Sequence, residues 1–241
     1  MMSPRLNEIW VYLAASPLIG LTATLLAYVF AFRIYERAKF SPLANPVMIS
    51  VAILVTVLTV TGTPYKTYFD GAQFVHFLLG PATVALAVPL YMQLPKLRTN
   101  LLPLLCGLVA GSLAAVVSAV GIAYALGASP EVVRSLAPKS VTIPIAMGVS
   151  DKIGGLPSLT AVLVMATGII GAVSATFLLN LLRIRDYTVR GFATGVAAHG
   201  IGTARAFQVS QEAGAFSALG MGLNGVLTAI MVPVLAAWMP R

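Results

Sequence analysis

Apolar runs of roughly 20 residues, the length a bilayer crossing needs, recur along this chain and decide most of what it can fold into. Hydrocarbon offers no partner to a backbone N–H or C=O, so irregular backbone is tolerated there only where protein or a cavity covers it. Two stretches strain against that rule: Gly80-Pro-Ala-Thr-Val-Ala-Leu-Ala-Val-Pro-Leu-Tyr91 and Ala198-His-Gly-Ile-Gly-Thr-Ala-Arg-Ala206. Both set helix breakers beside polar groups, the pattern by which discontinuous helices mark a transporter's mid-membrane binding site. Composition agrees, because only 9% of the residues are charged, against about 25% in a soluble domain. The expected architecture is one all-α polytopic membrane domain over residues 1–241. About seven to eight transmembrane segments are expected, with broken, crossed helices in an inverted repeat.

Taken in order, the first span is expected at 9–32, too long for a cleaved signal peptide, and runs into the basic residues Arg33, Arg37 and Lys39. A Pro-bearing turn at 41–46 leads to a short second span, 47–61, and an interfacial loop at 62–71. The third span, 73–92, holds the first break near 80–81. The fourth, 101–126, carries Gly107, Gly111, Ser112, Ala114 and Ala115, which permit close helix approach. Segment 138–155 is expected to be re-entrant, or a half-helix entering from outside. The sixth span follows at 156–182, the seventh contains the second break near 199–203, and the eighth covers 216–238. Placing the loops at 33–39, 96–98 and 183–190 with Arg241 in the cytoplasm collects nine of the fifteen basic residues there, as the positive-inside tendency requires. Residues 46–127 and 156–241 then form halves of opposite topology. The net charge of +8 therefore orients the chain in a cell's inner (cytoplasmic) membrane and implies no nucleic-acid partner. The single cysteine, Cys106, permits no internal disulfide and is expected to pack as a small hydrophobe.

The candidate binding residues fall in three groups. Pro81 removes a backbone donor, and with Ala82 and Thr83 it forms the first break; Pro89 disrupts the same span again. The alternative there is a merely kinked helix. Lys139, Ser140, Val141 and Thr142 form the second group, in a stretch that repeats the pattern small residue–Pro–x–hydroxyl–Val. A lysine among hydroxyls can hold a carboxylate, and a half-helix beginning near Ser140 would add its dipole; a lysine snorkelling to headgroups is the competing reading. His199, Gly200, Gly202, Thr203 and Arg205 are the third. An arginine inside a span costs roughly 2.5–3.5 kcal/mol and is functional by default, and its planar fork suits a carboxylate; pairing with Glu212 is the structural alternative. His199 is the candidate for proton coupling, against the plainer role of a packed histidine donating to a carbonyl. No membrane-embedded carboxylate pair, zinc-ligand set, Ser-His-Asp arrangement or phosphate loop occurs, so neither an enzyme nor a metal or cofactor is expected.

Six motifs in order carry a family resemblance: Thr63-Pro-Tyr-Lys-Thr-Tyr-Phe-Asp-Gly71, Phe77 to Tyr91, Pro138 to Ala146, Gly155-Leu-Pro-Ser-Leu-Thr-Ala161, His199 to Arg205, and Glu212-Ala-Gly-Ala-Phe-Ser217. From about Asn45 to the C-terminus the chain resembles the LrgB/CidB family. Lys66 stands where an acidic residue is expected, which weakens a cation site in that loop, and Ala198 stands where Ser is expected. The resemblance implies a membrane protein of the antiholin-like group, regulating murein hydrolase export and lysis beside a small LrgA/CidA-type membrane partner. It equally implies kinship with a plastid glycolate/glycerate translocator and with bacterial pairs that look like pyruvate transporters. The expected function is thus a carrier of small monocarboxylates in the lipid bilayer, with a holin/antiholin-like regulator as the alternative and a homodimer as the expected assembly.

Overall fold

The computed structural model describes residues 17–78, 81 and 84–239, and the chain divides into two compact units, 1–85 and 86–241. In the first, α1 (Pro17–Arg37), α2 (Pro46–Thr61) and α3 (Tyr65–Phe77) pack together. Asn45 starts α2 by accepting the Val47 and Met48 N–H groups, with Pro46 at the first helical position, and Gly62 ends it at φ 65°. Gly20 lets α1 lie directly on the Tyr68 carbonyl of α3, and Thr24 Oγ1 shares a 2.7 Å hydrogen bond with the Tyr68 hydroxyl.

Two sequence expectations change here. The first span was placed at 9–32, but the described helix continues through Arg33 to Arg37, because long basic side chains can extend from a last turn toward headgroups. The expected third span, 73–92, starts inside α3, which ends at Phe77, three positions before the expected break at Gly80, and α4 (Ala87–Met92) belongs to the second unit. Of the first break, Pro81 is exposed, while Gly80, Ala82 and Thr83 lie outside the described residues.

The second unit holds α4, α5 (Leu94–Thr99), α6 (Leu101–Ala125), α7 (Pro130–Leu136), α8 (Ile143–Lys152), α9 (Pro157–Leu181), α10 (Tyr187–Val209) and α11 (Gln211–Leu235), closed by a 3-10 turn at Ala236–Trp238. Helices α6, α9 and α11 have 25 residues each, about 37 Å at 1.5 Å per residue, enough to cross a bilayer. On α6 the buried face is Leu104, Leu108, Ser112 and Val116, while Leu102, Leu105, Val109, Leu113 and Val117 are exposed. A whole face of large exposed aliphatics is unstable in water and expected against lipid. Here the outside is oilier than the inside.

Helix α10 does not cross. His199 takes φ 40° and ψ −135°, and the chain doubles back on itself. A Cβ on Gly202 would lie 3.1 Å from the carbonyl oxygen of Thr194, although eight residues of straight helix would separate the two by about 12 Å. The packing on α11 says the same. Cβ atoms on Gly191 and Gly195 would overlap the carbonyl oxygens of Ala213 and Ser217, so the first leg of α10 runs parallel to α11. Only a returning second leg can connect two parallel neighbours joined at Ser210. Twelve residues from Tyr187 to His199 rise about 18 Å, close to half the ~30 Å hydrocarbon thickness.

A second hairpin enters from the other end. Ser135, in the last turn of α7, accepts the Leu156 N–H at 2.7 Å and Thr160 donates to Ser150 in the last turn of α8 at 2.7 Å, which sets the C-terminal ends of α7 and α8 together beside the start of α9. The turn between them, 137–142, reaches inward to Val164, about a third of the way along α9. Four described helices are thus long and apolar enough to cross, and α2 is a shorter apolar one, against the seven to eight segments expected. Residues 137–152 and 187–209 make up much of the difference, since each goes in and comes back. The C-terminal end of α11 also lies with Val116, Ala137 and Val149, at the end of the unit away from the 183–190 loop; Arg241, expected with the basic loops, lies outside the described residues.

Candidate functional site

A hairpin that turns at half depth leaves the carbonyls of its incoming helix and the N–H groups of its outgoing helix without helical partners. The two tips meet around one side chain. Asn224 of α11 is 1% exposed. Its Nδ2 donates to the Val196 carbonyl at 2.9 Å, in the last turn before the α10 break, and to the Ser140 carbonyl at 3.2 Å, in the turn of the other hairpin. Its Oδ1 accepts from Ser112 of α6 at 2.5 Å and from Thr228 at 3.4 Å. Thr203 closes the α10 tip, bonding the His199 carbonyl at 2.8 Å and sharing 2.9 Å with the Ser217 hydroxyl.

Most of the sequence-expected residues converge here. Val141 packs on Val164 with Ala146, and Thr142 is the N-cap of α8 without a side-chain cap bond. The half-helix begins at Ile143, three residues beyond the expected Ser140, because Pro144 is accommodated only in its first turn. Lys139 is half-buried, its Nζ 3.4 Å from the Ser140 hydroxyl. His199 is buried and its Nε2 lies 2.9 Å from the Val164 carbonyl. A carbonyl only accepts, so this nitrogen carries a proton, the packed-histidine role. Gly200 faces open space, with Met221 Sδ 3.9 Å from where a Cβ would stand, whereas a Cβ on Gly202 would strike Ala198 at 2.6 Å.

Arg205 stands apart from that group. It lies on the outgoing leg of α10 and lines a small cavity with Arg190, Thr194 and Thr176 of α9. The return of the chain brings together two arginines fifteen positions apart. Arg190 Nη1 also holds Asn180 at 2.9 Å and the Ile184 carbonyl at 2.8 Å. Glu212 is not the partner of Arg205. It takes Lys96 Nζ at 2.6 Å and the Thr188 hydroxyl at 2.9 Å, tying α5, α10 and α11 at the end that also carries Arg98, Arg183 and Arg185.

Asn224, Ser112, Ser217 and Arg190 were missing from the sequence-level site. Asn224 had a signal: a lone amide within the apolar run 216–238 has to find partners in hydrocarbon. Ser112 had been read only as a small packing residue.

Apolar outer faces, full-length spans and irregular backbone buried at their middle define a multi-pass α-helical membrane protein. The LrgB-like family model matches residues 24–238, and the chain belongs to that family. It is 36% identical to protein YwbG of Bacillus subtilis over 92% of this chain and 98% of that one. It is 30% identical to the holin-like protein CidB of Staphylococcus aureus, covering 90% of this chain and 95% of that one. With the holin-like protein CidB of Staphylococcus epidermidis the identity is 32%, over 93% and 96%. No solved structure matches.

Proposed function

We propose that this protein is a carrier of small monocarboxylates of the pyruvate or glycolate type, not an enzyme, acting in the cytoplasmic membrane with a small LrgA/CidA-type partner. The observation that supports this most is the position of Lys139 at a crossing of two opposed hairpins. The helix that leaves each tip, α8 from Ile143 and the second leg of α10 from Gly200, starts there. Helix N-termini carry partial positive charge and free N–H groups. Two of them, one half-buried ammonium and the hydroxyls of Ser140, Thr142 and Thr203 make a small anion's site. Discontinuous helices whose N-termini face the substrate are the pattern of secondary transporters. The running directions also support it: α6 with its following hairpin, and α9 with its own, traverse the unit in opposite senses. That pairing replaces the halves 46–127 and 156–241 as the candidate inverted repeat. Arg190 and Arg205, nearer the basic end, would draw anions toward the crossing, and His199 is the group a proton gradient would act on.

A holin-like role is the second reading, favoured by the names of the Staphylococcus relatives. The two separate in liposomes holding the purified protein. The carrier predicts saturable uptake of labelled pyruvate or glycolate, reduced at least tenfold by Lys139→Ala and less by Arg205→Ala. Release of trapped dyes of several sizes, indifferent to Lys139→Ala, would reject the carrier and favour the holin-like role. The same vesicles with and without a pH gradient test His199.

A further inference from the structure

We infer that Asn224 is a positioning residue that latches the two hairpin tips to each other and to α6, and that the crossing opens only when its amide lets go. The latch rests on valence. A primary amide has two donor hydrogens and room for two accepted bonds, and all four are used: Val196 O, Ser140 O, the Ser112 hydroxyl and the Thr228 hydroxyl. The orientation of the amide is fixed, since both carbonyls can only accept and must face Nδ2. The two carbonyls belong to chains entering from opposite ends of the unit. Among the described residues, no other single side chain bonds both.

That arrangement makes the latch cooperative. If either tip withdraws, a buried donor on Asn224 and a buried carbonyl lose their partners together, in surroundings where no water replaces them. The tips therefore stay down as a pair or are released as a pair. Ser112 is the second component, because its 2.5 Å bond to Oδ1 keeps Nδ2 aimed at the tips. The latch itself stands on this geometry alone; its use as the opening step of transport rests on the carrier reading.

The test is chosen to keep the two apart. In a Cys106→Ala background, single cysteines are placed at the tips, Thr142→Cys and Gly200→Cys, with Asp151→Cys as an exposed control. Position 200 has room for a side chain, and Thr142 makes no capping bond to lose. The rate of reaction with a membrane-impermeant maleimide is then measured with Asn224, with Asn224→Asp and with Ser112→Ala. Asp keeps the size and the acceptor but turns a carboxylate oxygen toward the two carbonyls. Both tip positions are expected to react at least tenfold faster in Asn224→Asp and severalfold faster in Ser112→Ala, with the control unchanged. Should Asn224→Asp fail to fold, the milder Ser112→Ala decides. Unchanged tip rates in the folded variants would overturn the latch. Faster tip labelling, with no monocarboxylate uptake by the Cys106→Ala parent that keeps Thr142 and Gly200, would uphold the latch and remove the carrier reading.

Discussion

His199 sits in a region of backbone space that residues with a Cβ avoid, a conformation that costs about 1–3 kcal/mol. Its neighbours explain why it is tolerated. The ring is anchored by the Val164 carbonyl and lies against Gly168, where a Cβ would come within 2.6 Å of Cε1. The side chain thus secures the reversal that its own backbone resists. Glycine would adopt this φ freely but supplies no ring; alanine supplies neither. His199→Ala should therefore be less thermostable in detergent than His199→Gly, by about 1 kcal/mol, and both less than the parent. A melting temperature for the alanine variant at or above that of glycine would mean that the backbone at 199 is unstrained. The sequence drew attention to Gly200 and Gly202 as the flexible positions, yet the positive φ falls on the histidine, because the room that glycine provides is used for packing at 202 instead.

At the scale of elements, α10 shows how much the sequence could tell. Its start was written plainly: Asp186 is the N-cap and its carboxylate accepts the Val189 N–H at 3.1 Å. That bond holds the Asp186 carboxyl below its ordinary value. A lowered value in the fold means that the cap contributes fully above about pH 4 and loses its contribution as the pH falls further. Asp186→Ala should cost about 1 kcal/mol at pH 7, with the gap in melting temperature narrowing as the pH falls below about 4; a gap that stays constant through that fall would show that charge at the cap does not matter. The break near 199–203 was also legible, from Gly-x-Gly within apolar sequence. The return of the chain was not. Kink and hairpin share the same local residues, and what selects the hairpin is the match of Gly191 and Gly195 to the Ala213 and Ser217 carbonyls, a contact across some twenty positions that no periodicity displays. The role of Asn224 at the two tips was obscured for a related reason, since the partners there are the Val196 and Ser140 backbone carbonyls, which leave no mark on side-chain sequence.

For the second unit as a whole, the two hairpins change which loops share a side of the membrane. If α10 crossed fully, the 183–186 connection and the turn at Ser210 would lie on opposite faces. With α10 doubling back, both lie at one end, as the Thr188–Glu212 and Lys96–Glu212 bonds require, and the connection at 153–156 lies at the other. The basic residues Lys96, Arg98, Arg183, Arg185 and Arg190 all belong to the first end, which the positive-inside tendency assigns to the cytoplasm. Cysteines introduced singly at Arg185, Gln211 and Asp151, in a Cys106→Ala background, make the distinction. In intact cells an impermeant maleimide should label position 151 and spare 185 and 211, and in inside-out vesicles the pattern should reverse. Labelling of 185 and 211 from opposite faces would restore α10 as a crossing helix. It would also separate the two hairpin tips, because His199 could no longer turn the chain at the depth of Asn224, and the anion site proposed at their meeting would lose its physical basis.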